Sequence, residues 1–175
     1  MNYFELFGVD ESFDIDSQHL SQVYQTLQKS VHPDKFAHAS GQEQLLAVQK
    51  SAQINDAYQT LKQPLKRAQY MLEQRGIEMP SEQNTFQDNM FLMRQMELRE
   101  MLEEVKFASD PDAAILAANQ ELDQEYQHLL GLMREQLIDN NTESNNSACE
   151  NLRKLKFYQK LHIELDRIED QLFDD

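Results

Sequence analysis

Tryptophan is absent from these 175 residues, cysteine occurs once, and there are only four glycines and four prolines. A single cysteine, Cys149, excludes an internal disulfide framework and suits a reducing compartment. Scarce glycine and proline, with no run of alternating β-branched residues, argue against a sheet and for an all-α chain. No apolar stretch approaches the ~20 residues that cross a bilayer. The first residues carry no basic region followed by an apolar run, so no secretory signal is expected, and they are not Arg-rich, so no transit peptide is expected either. A cytoplasmic protein is the simplest expectation. Basic residues are also in short supply, with 16 Lys and Arg against 31 Asp and Glu, for a net charge of −15. The deficit is uneven: residues 1–76 hold nine acids and seven bases, residues 77–175 hold 22 acids and nine bases. So acidic a surface repels nucleic acid and anionic membranes, and it favours a basic protein partner.

What is present is helical periodicity, interrupted once by His32-Pro33-Asp34. Proline has no N–H to donate and biases the residue before it away from helical geometry, so a helix should end near Val31. Upstream, Leu20, Val23, Leu27 and Val31 repeat at helical spacing. Downstream, Leu45, Val48, Ala52 and Leu61 are read as a second stripe at helical spacing, widened by Ile54, Ala57 and Tyr58. The two stripes predict an antiparallel helical hairpin with a polar tip.

Arg75-Gly76 reads as a helix end, the glycine free to take the left-handed cap conformation. Residues 77–84, with Pro80, Ser81 and Asn84, read as a linker or bend. Helices are expected over roughly 85–108, from Asp110-Pro111 to about Ile138, and from about Ala148 to Leu172. A polar, mobile loop is expected over 139–147. Short connections between these helices imply an antiparallel three-helix bundle.

On a helical wheel of the 85–108 segment, Phe91, Leu98, Leu102 and Val105 fall within about 60° of one another and form a core stripe. Met93 and Met96 point away from it, Leu92 lies on the flank, and Glu97, Glu100 and Glu104 share the outer side. Exposed methionines rimmed by acids suit an adaptable protein-binding patch. Packing of Met93 and Met96 on a neighbouring helix fits the wheel equally well. Ile115, Leu122, Tyr126, Leu129, Met133 and Leu137 make a core stripe in the next helix, and Tyr158, Leu161, Leu165, Ile168 and Leu172 in the last. Phe157 sits at the edge of that stripe, open to either a core or an exposed place. Arg153, Lys154, Lys156 and Lys160 form a basic cluster, read as a solvated face in preference to a docking spot.

The tripeptide is accompanied by Tyr3-Phe4-Glu5-Leu6-Phe7-Gly8-Val9, by Ile54-Asn55-Asp56-Ala57-Tyr58 with Leu61, and by Pro64-Leu65-Lys66-Arg67-Ala68-Gln69-Tyr70. In this order and spacing they resemble the J-domain, the module that stimulates ATP hydrolysis by DnaK-type chaperones. Further on, Phe91-Leu92-Met93-Arg94-Gln95-Met96-Glu97-Leu98-Arg99-Glu100 and Arg153-Lys154-Leu155-Lys156-Phe157 resemble the HscB-type J-domain co-chaperones of iron–sulfur cluster assembly. The resemblance spans almost the whole chain. It implies an L-shaped, all-α pair: a J-domain over 1–75, a linker over 76–84 and a three-helix scaffold-binding bundle over 85–175. It also implies two partners, a DnaK-like ATPase of the HscA type and a cluster scaffold of the IscU type. His32, Pro33 and Asp34, with Lys29 and Lys35, would touch the ATPase. Leu92, Met93, Met96, Glu97, Glu100, Glu104 and Phe157 would bind the scaffold. The chain departs from the general J-domain pattern in its second helix, usually rich in Lys and Arg. Here only Lys29 lies between Asp16 and Val31, and Val31 stands where many members have Tyr.

His32 and Asp34 are the residue types of an acid–base dyad, but no nucleophile, metal set or phosphate loop accompanies them. The histidines at 19, 32, 38, 128 and 162 are dispersed and Cys149 has no paired cysteine, so neither metal nor cofactor is expected. A non-enzymatic co-chaperone is the reading. A J-protein with a different client and a structural adaptor with an inactive J-like domain are the alternatives from other classes.

Overall fold

A computed structural model describes residues 1–81 and 84–174; Glu82 and Gln83, in the expected linker, and Asp175 lie outside the described residues. The chain divides into two compact units, Met1–Gly76 and Ile77–Asp175. Every regular element among the described residues is helical.

In the first unit, α1 (Tyr3–Leu6) is capped by Asn2, whose side chain accepts from the Glu5 N–H at 2.8 Å. It ends at Gly8, where φ is +66°. α2 (Ser17–Val31) starts under the Asp16 carboxylate, which accepts from the N–H groups of Gln18 and His19. It stops at His32, whose ψ of 133° is the extended geometry that Pro33 imposes. A 3-10 turn (Pro33–Phe36) leads to α3 (Gly41–Lys62), capped by Ser40. α4 (Pro64–Gln74) begins with proline in its first turn, and Gly76 follows it with φ +83°. Phe4, Leu20, Ile54, Ala57, Leu61, Ala68, Met71 and Leu72 form the core.

The stripe expected on α3 proves to be two stripes. Ala47, Ile54, Ala57 and Leu61 are buried, whereas Leu45 and Val48 are 56% and 50% exposed and Ala52 is exposed too. At about 100° per residue, Leu61 stands half a turn around the helix from Ala52, so the two sets cannot share a face.

Buried Arg67 joins three segments of this unit. Its Nε donates to the Phe13 carbonyl at 2.7 Å, a terminal nitrogen donates to the Leu61 carbonyl, and the guanidinium lies 5.1 Å from the Phe13 ring centroid. Burial pulls its pKa below the ordinary value, and Asp14 opposes that shift.

In the second unit, α5 (Asn89–Val105), α6 (Pro111–Asp139) and α7 (Thr142–Phe173) pack around Phe91, Leu98, Leu102, Leu122, Tyr158, Leu161 and Leu165. Asp88, Asp110 and Asn141 supply the N-caps. α6 runs antiparallel to both neighbours: Gln136 meets Asn151 while Tyr126 meets His162, and Arg94 meets Glu121 and Glu125. With 17, 29 and 32 residues, the helices differ in length. At about 1.5 Å per residue, α5 spans little more than half of the α6–α7 hairpin.

The expected loop over 139–147 contracts to Asn140 and Asn141, and α7 begins at Thr142 and not near Ala148. Asn140 takes the left-handed conformation (φ 48°), and the Asn141 side chain accepts from the Ser144 N–H at 2.8 Å. Asn145 is buried and donates to the Asn140 side chain. The polar residues that read as a loop are the turn and caps of a tight helical hairpin. At the other boundaries α5 is shorter at both ends than the expected 85–108 span, and α6 closely follows its expected range.

Candidate functional sites

His32 closes α2 and opens the 3-10 turn. Its Nδ1 accepts the Asp34 backbone N–H at 3.2 Å, so the proton of the neutral ring sits on Nε2, which faces away from that bond. The Asp34 carboxylate lies 3.5 Å from the same Nδ1, and its side chain is almost fully exposed, while His32 is more than half exposed. The tip therefore presents an N–H donor, a carboxylate and the rigid Pro33 ring. Lys29 lies one turn before His32, and both line a groove between α2 and α3 together with Pro33, Val48, Ser51 and Ala52. Lys35 is exposed beside Asp34 and donates its N–H to the His32 carbonyl.

In the bundle, Met93 and Met96 are 63% and 66% exposed. Of the two readings the wheel allows, the outward one holds. Leu92 is half-buried, and Glu97, Glu100 and Glu104 are exposed. Glu97 accepts from Arg94, one turn before it on α5, at 2.9 Å. Phe157 is buried, packed edge-on against Phe91 at 5.7 Å, with the Arg99 guanidinium 5.4 Å above its ring. It belongs to the core and also lines a groove shared with Phe86, Gln95 and Arg99. Six of the seven expected scaffold residues thus lie along α5, and the seventh supports that helix from beneath.

Sequence reasoning missed two arginines. Arg94 donates to Glu97, Glu121 and Glu125, stapling α5 to α6, and these carboxylates, Glu125 first, raise its pKa against the effect of burial. Arg99, on the flank between Met96 and Phe157, covers the aromatic ring. Only the Arg94–Glu97 spacing left a local signal. Two members of the expected solvated basic face, Arg153 and Lys154, are instead structural. Arg153 lies over the Phe86 ring and donates to the Asn84 carbonyl, and Lys154 pairs with Asp88 at 2.9 Å. Burial raises the pKa of Cys149, whose Sγ lies 3.3 Å from the Met79 sulfur, so it is no reactive thiolate. Among the described residues, no group of three or more His, Cys, Asp or Glu side chains is placed to hold a metal ion, and no helix is long and apolar enough to cross a membrane.

Comparison with known proteins gives two family matches: the DnaJ domain over residues 2–70 and the HSCB C-terminal oligomerisation domain over residues 87–166. A protein of Colwellia psychrerythraea, named co-chaperone protein HscB homolog, is 67% identical over 175 residues, covering both chains completely. The chain belongs to the HscB family of co-chaperones. An HscB homolog of Vibrio cholerae is 51% identical over 172 residues, covering 98% of this chain and 99% of that one. The solved structure of the chaperone HscB from Vibrio cholerae matches with a TM-score of 0.93 at 50% identity, covering 98% of this chain and all of that one. Human co-chaperone HscB matches with a TM-score of 0.88 at 28% identity, over 97% of this chain and 82% of that one. The J-domain and the helical C-terminal unit expected from the sequence are therefore those of the HscB fold.

Proposed function

We propose that this chain stimulates the ATPase of a DnaK-like chaperone of the HscA type and delivers to it a cluster scaffold of the IscU type, assisting the maturation of iron–sulfur proteins in the cytoplasm. The observation that carries the reading is a division of labour: an exposed His32-Pro33-Asp34 tip on one unit and an exposed, acid-rimmed Met93–Met96 patch on the other.

In this reading residues 1–75 act as the J-domain, 76–84 as linker and 85–175 as the scaffold-binding bundle. His32, Pro33 and Asp34, flanked by Lys29 and Lys35, contact the ATPase. Met93 and Met96 anchor the scaffold, Leu92 extends the apolar surface, and Glu97, Glu100 and Glu104 give it an acidic rim suited to a basic protein face. Phe157 holds the α5 backbone in place for them. The chain performs no chemistry of its own and needs neither metal nor cofactor. It acts by contacting the hydrolysis-competent state of the ATPase more favourably than the resting state, a difference of about 1–3 kcal/mol sufficing for a 5- to 150-fold shift. Nucleic acid and membranes are not partners of so acidic a surface.

The test is single-turnover ATP hydrolysis by the HscA-type chaperone, with the full chain added and the scaffold present or absent. Stimulation that depends on both proteins supports the reading. Stimulation indifferent to the scaffold would assign the bundle another client.

A further inference from the structure

The Arg94 cluster, the Phe157 groove and the strip along α3 are the features that stand out from the fold, and the third leads beyond the function above. We propose that the α2–α3 groove is a specificity surface, through which the DnaK-type ATPase is recognised by a mainly apolar contact centred on Val48 and Ala52. This rests on the reading of the His32-Pro33-Asp34 tip as the ATPase contact.

α2 carries one formal charge, Lys29, in fifteen residues, so it offers almost no electrostatic field to an acidic partner. α3 instead carries a second apolar stripe that its own unit does not bury. Leu45, Val48 and Ala52 sit at i, i+3 and i+7, on the side of the helix away from Ile54 and Leu61. An apolar row kept in water contributes nothing to the fold of this unit, and burial against a partner is what makes it favourable.

The surface is also built. Ser51 Oγ donates to Gln28 Oε1 at 2.7 Å while Gln28 Nε2 donates back to the Ser51 carbonyl at 3.1 Å. This reciprocal pair locks α2 to α3 under the groove and leaves its polar atoms engaged with each other. Val48 and Ala52 line the same groove as His32 and Pro33, so a protein that covers the tripeptide covers them too. The complementary face must then be apolar. A carboxylate-rich dock would lose its hydration over Val48 and Ala52 with Lys29 alone to meet it, which disfavours such ATPases as partners.

The experiment measures the concentration of full chain that half-maximally stimulates the HscA-type ATPase, at ionic strengths of about 0.05 and about 0.5 M. The expected result is a shift with salt of about twofold or less. Val48→Glu should raise the half-maximal concentration by about tenfold or more. Val48→Asn should raise it in the same direction, both variants keeping wild-type helicity because the side chain stands half in solvent. Wild-type stimulation that Val48→Glu and Val48→Asn leave unchanged, or that weakens tenfold with salt, overturns the inference alone. A wild-type chain that never stimulates overturns the proposed function and this inference with it.

Discussion

The Asp34 backbone N–H donates to the His32 ring nitrogen across 3.2 Å, and Pro33 between them holds both in place. The tripeptide is thus a turn whose His32 ring and Asp34 carboxylate face solvent. Replacing His32 by Gln alters that display without touching the core. Surface changes of this kind cost about 0.5 kcal/mol or less. We expect His32→Gln to abolish ATPase stimulation while scaffold binding and thermal unfolding stay at wild-type values. Joint loss of stimulation and binding would show damage to the fold.

Met93 and Met96 differ from Phe157 in kind. Alanine at either exposed methionine should weaken scaffold affinity by about 1–2 kcal/mol if it is a hot spot, with the melting temperature unchanged. Phe157→Ala should instead destabilise the bundle by about 3–5 kcal/mol, because a buried ring is removed. Titration calorimetry beside thermal unfolding separates the two. Unchanged affinity for both methionine variants would remove Met93 and Met96 from the scaffold contact.

Arg67→Met tests the buried cation. It leaves the Phe13 and Leu61 carbonyls without their charged donor and should cost the first unit about 2–3 kcal/mol. Chemical denaturation followed by circular dichroism reads this directly, and a variant as stable as wild type would show that water replaces the guanidinium freely.

Burial, reinforced by the Glu125 charge, pushes the Tyr158 hydroxyl up to about 12. The folded state keeps its proton after the unfolded state, titrating near 10, has lost its own. Stability should therefore fall as pH rises from about 10 to about 12, since the unfolded chain binds fewer protons there. Tyr158→Phe should show a shallower decline than wild type over that window in urea unfolding curves. Parallel declines would contradict the assignment.

Much of this was legible in the sequence because it is local. The proline stop after Val31, the Asp110 cap and the Phe91–Leu98–Leu102–Val105 stripe each follow from spacing within a few residues. The two α3 stripes look like one in the sequence because Leu45, Val48 and Ala52 do keep helical spacing, and only the nine-residue step to Leu61 betrays the change of face. The 139–147 segment misled because Asn and Ser favour loops and helix caps alike, and the choice rests on the pairings of Asn140 with Asn145 and of Asn141 with Ser144. Arg67 and Arg94 were missed for another reason: Arg67 meets Phe13 54 residues away, and Arg94 meets Glu121 and Glu125 on the next helix. Phe157 stayed open because the edge of a helical stripe becomes core only when a second helix, here α5, covers it.

The central claim is that the chain couples two partners, and single-turnover ATP hydrolysis by the HscA-type chaperone with the IscU-type scaffold tests it most directly. The account predicts that this chain and the scaffold together stimulate hydrolysis well beyond the product of their separate effects. It also predicts that Met93→Ala combined with Met96→Ala removes that excess while stimulation by the chain alone persists. Separate effects that merely multiply, unchanged by the two alanines, would contradict it.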